Sequence, residues 1–180
     1  MSYLPTNRWD KGEIYEQSEL VIVGSVQKII PKKYLKNMRY QTDGKVVPIQ
    51  ILRYRFYAVV EIIHKFKGQH KKETIEVYLG VTRGTAKYKD CRTHNTQPRY
   101  FAKLKKTYLL ELIKTENGYE PLAYWSSILE LATDEKGDIY FIPGAEYKDD
   151  DPTKLTLKEY EEDRNIKLNK LHEFTVNTEP

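Results

Sequence analysis

Apolar residues gather in three β-rich runs along the chain: ELVIVGSVQKII at 19–30, QILRYRFYAVVEIIHKFKG at 50–68 and ETIEVYLG at 73–80. Each is rich in Val, Ile, Tyr and Phe and ends at a turn signal, which predicts the strands of an antiparallel meander. In the longest run Tyr54, Phe56, Ala58, Val60 and Ile62 alternate with Arg53, Arg55, Tyr57, Val59 and Glu61. A period of two puts these sets on opposite faces of a strand, and the first set is predicted to face the core.

The intervening segments are read by their punctuation. Residues 31–49 are bounded by Pro31 and Pro48 and carry Lys32, Lys33, Lys36, Arg39 and Lys45 among aromatic residues. They predict a long excursion, read as a hairpin that turns at Asp43-Gly44. Residues 81–104 have no stable period and contain Gly84, Asn95 and Pro98, predicting a long loop. After it, KTYLLELI and YEPLAYW flank a turn at Glu116-Asn117-Gly118, and a polar turn at Asp134 to Asp138 leads to the short strand IYFI.

Two helices complete the pattern. Asp10 and Glu13 form a capping-box sequence for a short helix through about Gln17. Thr156 and Glu159 form a second, after which Leu157, Tyr160, Arg164, Leu168 and Leu171 recur at spacings of three and four, a stripe that would dock on the body. The expected organisation is a lead-in helix over 1–18, a barrel over 19–145, a packed C-terminal helix over 152–174 and a frayed tail over 175–180. The fold class expected is mainly β, an OB-like antiparallel barrel with a short N-terminal and a C-terminal helix.

Charge changes this picture more than composition does. The net charge is +4, yet residues 1–115 hold 23 Lys and Arg against 10 Asp and Glu, while residues 116–180 hold 7 against 16. An acidic C-terminal part folded against a basic body would leave little field at a distance, whereas an open basic surface would suit an anionic partner. No apolar run approaches the roughly 20 residues of a membrane span. The opening MSYLPTNRWDKGE lacks the basic and then apolar pattern of a secretory signal.

The order LVIVGSV, YRFYAVVEIIHKFKG, IEVYLG, a loop with a cysteine and then KTYLLEL resembles the netrin-like superfamily, which includes tissue inhibitors of metalloproteinases and uncharacterised bacterial relatives. The resemblance spans about residues 15–115 and implies an OB-like barrel that serves as a binding module, with an extracytoplasmic location. In that family, metalloproteinase inhibition depends on an N-terminal cysteine that chelates the active-site zinc. The segment before the first strand here has no cysteine, so that mechanism is not expected.

Candidate chemistry is sparse. Cys91 and His94 form a C-x-x-H pair and mark a candidate functional loop, but a structural zinc site needs four organised ligands, and no metal or cofactor is expected. As the single cysteine, Cys91 is expected to be a free thiol or an intermolecular link. The acidic Asp149-Asp150-Asp151 run before Pro152 reads as a solvated linker, not a calcium loop. There is no P-loop, dinucleotide fingerprint, H-E-x-x-H or G-x-S-x-G motif, and a catalytic function is not expected. The candidate binding face comprises Arg53, Arg55 and Tyr57 with Lys32, Lys33, Tyr34, Arg39 and Tyr40. A non-enzymatic module with a protein partner is the leading expectation; the alternative is an OB-fold binder of single-stranded nucleic acid, combining basic residues with aromatic platforms.

Overall fold

The computed structural model describes residues 11–81, 102–123, 127–143 and 155–167. Helix α1 (Lys11–Gln17) leads into β1 (Leu20–Thr42), β2 (Lys45–Lys67) and β3 (Thr74–Val81), followed by β4 (Thr107–Thr115), β5 (Gly118–Pro121), β6 (Ile128–Thr133), β7 (Ile139–Pro143), β8 (Leu155–Thr156) and α2 (Leu157–Arg164). Strands β1, β2, β3, β5 and β4 pair in that order and β4 returns to β1, closing a five-stranded barrel. Every pairing in the ring is antiparallel except β3 with β5, which meet in parallel at Val77 and Tyr119. The fold is the expected one: mainly β, an OB-like barrel with two short helices.

Alternation decides which side chains fill the barrel. Phe56, Ala58 and Val60 of β2 are buried together with Leu20 and Ile22 of β1, Ile75, Val77 and Leu79 of β3, and Leu110 and Leu112 of β4. Tyr54 and Ile62 pack against the same cluster. The register inferred from the longest run is therefore the observed one.

Strand β4 is buried on both faces: inward it lines the barrel, and outward, where β6 and β7 continue the sheet from its edge, α1 and α2 cover it. Val21, Val23 and Leu109 point outward into a cluster with Leu129, Leu131, Phe141 and Tyr160. Glu111 shares that outward face and is fully buried. Its carboxylate accepts hydrogen bonds from Arg164 of α2, the shortest 3.1 Å from Nη2 to Oε1. Burial pushes the Glu111 carboxyl above its ordinary range, against the opposing pull of Arg164 and, more weakly, Lys67.

Residues 31–49, the excursion expected to turn as a hairpin at Asp43-Gly44, do so, with strand on both sides continuous with β1 and β2. Asp43 (φ 46°) and Gly44 (φ 72°) both take positive φ, which a type I′ hairpin demands. β1 and β2 stay paired from Thr42↔Lys45 back through Pro31↔Phe56, so the prolines lie within the ladder. Beyond Lys32 and Arg55 no other described strand pairs with the ribbon, which continues for about 33 Å at some 3.3 Å per residue. We call this projecting ribbon the arm.

α2 opens as expected, with Thr156 accepting from the Glu159 N–H and Glu159 answering the Thr156 N–H. It closes sooner than the expected 174. Asn165 takes the left-handed conformation (φ 50°, ψ 45°) and its N–H turns back to the Glu161 and Glu162 carbonyls, ending the helix at Arg164. Residues 168–180 lie outside the described residues, as do Cys91, His94 and the Asp149 to Asp151 run.

Candidate functional site

The candidate binding residues all fall on the β1–β2 hairpin, and register sorts them. Lys32 lies opposite Arg55, Tyr34 opposite Arg53 and Tyr40 opposite Val47. Directly opposed residues share a face, so Lys32, Tyr34, Tyr40, Arg53, Arg55 and Tyr57 lie on one side of the ribbon. Lys33 and Arg39, one residue out of phase, lie on the other with Leu35 and Val46. The basic positions thus wrap the arm instead of forming a single plane.

At the barrel end, the face is already filled by its own contacts. Tyr57 is 8% exposed and meets Tyr78 of β3 at 5.4 Å between ring centres, tilted by 49°. Lys32 Nζ sits 4.3 Å from the centre of the Tyr57 ring and pairs with the Glu76 carboxylate. The Arg55 guanidinium lies 4.4 Å from the centre of the Tyr34 ring. Burial pushes the Tyr78 hydroxyl up to about 12, partly opposed by Arg55. Each cation–π contact at such a part-exposed site contributes on the order of 0.5–1 kcal/mol. These contacts hold the rings as a layer with the protein's own cations against their faces. Tyr78 and Glu76 were not among the sequence candidates, although β3's alternation places both on the same side.

Along the arm the situation reverses. Lys33, Lys36, Arg39 and Lys45 make no ion pair among the described residues. Leu35 (61%), Tyr40 (59%), Val46 (58%) and Val47 (42%) stand in solvent. Between residues 28 and 60 there are eight Lys and Arg and one acidic residue, Asp43. An extended basic ribbon bearing large apolar side chains can bind, and it holds no constellation of nucleophile, base and oxyanion donors.

Among the described residues no group of three or more His, Cys, Asp and Glu side chains could hold a metal, and no helix is long and apolar enough to cross a membrane. No protein-family model, curated protein or solved structure matches this chain.

Proposed function

We propose that this chain is a non-enzymatic binding module that engages a protein partner along the β1–β2 arm. The reading is carried by where apolar surface is left open. Of the large hydrophobic side chains exposed among the described residues, Leu35, Tyr40, Val46 and Val47 lie on the arm, and only Ile63 and Leu104 lie elsewhere. Tyr40 and Val47 lie directly opposite each other on one face of the arm, and contiguous exposed apolar groups of this kind mark interaction surfaces. A lone two-stranded ribbon is marginal in water, so a partner covering the arm would stabilise it. The netrin-like resemblance supports the same class of function, a barrel used as a binding platform.

The test is photocrosslinking in the source cells, with a photoreactive phenylalanine in place of Tyr40 or Val47 and, as control, Lys136 in the β6–β7 turn. Adducts specific to the arm that resist nuclease and yield to protease are expected. Equal adducts from the control position, or none from the arm, would reject the proposal.

A second reading, binding of single-stranded nucleic acid, draws on Arg53, Arg55, Lys33 and the neighbouring tyrosines. Single-strand binding stacks successive bases on several open aromatic faces; Tyr57 and Tyr34 already carry Lys32 and Arg55, which leaves Tyr40 as the candidate ring open on the arm. Weak binding of an oligothymidylate at physiological salt is therefore expected. Tight binding with a log–log salt slope made shallower, by up to about two units, on neutralising Arg53, Arg55 and Lys33 would reverse the ranking.

A further inference from the structure

The arm's backbone has a direction that its side chains do not reveal. A two-residue hairpin turn closes on a hydrogen-bonded pair, here Thr42↔Lys45, and hydrogen-bonded and non-hydrogen-bonded pairs alternate from there. The pairs Arg39↔Pro48 and Pro31↔Phe56 both fall in the non-hydrogen-bonded set. That is where proline is tolerated, since its missing N–H would face away from the partner strand. Turn and prolines thus agree on one assignment. Lys33, Leu35, Asn37, Arg39 and Gln41 turn both N–H and C=O to the outer edge of β1. On β2 the corresponding row is broken in its middle by Pro48.

Among the described residues neither edge has a neighbouring strand along the arm: β1 pairs with β4 only through Ser25, and β2 pairs with β3 only from Arg55. The β1 edge therefore presents an unbroken row of peptide donors and acceptors. Its outward residues also share one side-chain face, with Lys33 and Arg39 flanking Leu35 and Asn37.

Resting on the reading of the arm as a protein-binding element, we propose that the β1 edge from Lys33 to Gln41 takes an extended segment of an acidic protein partner as an added strand. Backbone pairing supplies the attraction that an edge strand offers any extended chain. Charge supplies the choice. Two copies of this edge side by side would bring Lys33, Lys36 and Arg39 near one another, and like charges in a sheet are destabilising, so the lysine-rich edge excludes a second copy. The same charges favour a strand with carboxylates opposite Lys33 and Arg39 and an apolar residue opposite Leu35. A nucleic acid has no peptide groups to complete the ladder.

The probe is a fluorescent peptide of alternating Glu and Val titrated into the full chain, beside Thr-Val and Lys-Val peptides and an oligothymidylate. Saturable binding of the Glu-Val peptide is expected, weakened about tenfold between low and physiological salt. Asn37→Pro removes one outward N–H and should cost about tenfold or more, while Asn37→Ala, which keeps it, should bind nearly as the parent does. Lys33→Glu with Arg39→Glu leaves the backbone intact and should shift preference to the Lys-Val peptide. On binding, hydrogen exchange at Leu35, Asn37 and Arg39 should slow. Undiminished affinity in a folded Asn37→Pro protein, no change of preference in the charge-reversed protein, tighter binding of Thr-Val peptide or oligothymidylate, or dimerisation through this edge would each overturn the proposal. If arm crosslinks to protein form but the Glu-Val peptide does not bind, the added acidic strand is wrong and the binding module stands. If neither occurs, both fall.

Discussion

Glu111 and Arg164 form a buried charge pair that ties the barrel to helix α2, with side chains 0% and 5% exposed. Such a pair gains little over a well-packed apolar alternative, but removing one partner strands the other's charge. Arg164→Met should therefore cost about 3–5 kcal/mol at neutral pH. The pH dependence has a definite sign. The folded-state pKa of Glu111 lies above its ordinary value because burial outweighs Arg164. Its contribution to stability is thus complete below the ordinary carboxylate range and is lost as pH rises through the raised folded value. Without Arg164 that value rises further, so the Arg164→Met penalty should shrink on acidification through this window. Urea unfolding across a pH series checks it, and a penalty that stays constant or grows on acidification would refute the assignment. Half of the pair was legible in the sequence: an arginine within the apolar stripe of α2 needs a buried partner. Glu111 was not, because the alternation of TYLLELI places it on a face that would be solvated if no helix covered it.

At the scale of elements, two glycines at positive φ separate what a turn needs from what packing needs. Gly44 at the arm's tip has open space where a Cβ would stand, so Gly44→Ala should cost only the left-handed backbone penalty, about 1–2 kcal/mol. Gly68 ends β2 at φ 83°, and a Cβ there would lie 2.1 Å from the Glu19 carbonyl oxygen at the start of β1. Neither backbone can yield without disturbing Lys67, whose ammonium caps α1 through the Tyr15 and Glu16 carbonyls. Gly68→Ala should therefore lower the unfolding midpoint clearly more than Gly44→Ala, and equal losses would contradict this packing. Local signals read these elements well where they act within a few residues, as the Asp43-Gly44 turn and the Thr156 cap do. They failed at Pro31 and Pro48, read as boundaries of an excursion. A proline interrupts a strand only if its missing N–H faces the neighbour, and that phase is set by pairing across the hairpin, which periodicity along one strand does not carry.

At the scale of the molecule, the barrel's closure depends on contacts between distant segments, Val77 with Tyr119 and Leu20 through Ser25 with β4. The runs of Val, Ile and Tyr identified the strands and the barrel class but not which pairings close the ring, nor the pairing with β6 and the helix cover that make β4 a central, doubly buried strand. The candidate face was legible as a set of residues and not as a surface, since whether 31–49 is loop or ribbon decides which of them share a side. The same architecture separates stability from binding. The barrel cluster extends toward the arm only as far as Ile29 and Tyr54, and no residue between 34 and 53 belongs to any core cluster. Excising residues 35–52 and joining Tyr34 to Arg53 through Asn-Gly restores a hairpin on a hydrogen-bonded pair, as Thr42↔Lys45 is now. The shortened protein should unfold cooperatively with stability within about 1 kcal/mol of the parent, because no residue of a core cluster is lost. It should also lose the arm-specific crosslinks and peptide binding together. A large loss of stability would mean that the arm belongs to the folding unit, and retained binding by the folded, shortened protein would move the interaction surface back to the barrel.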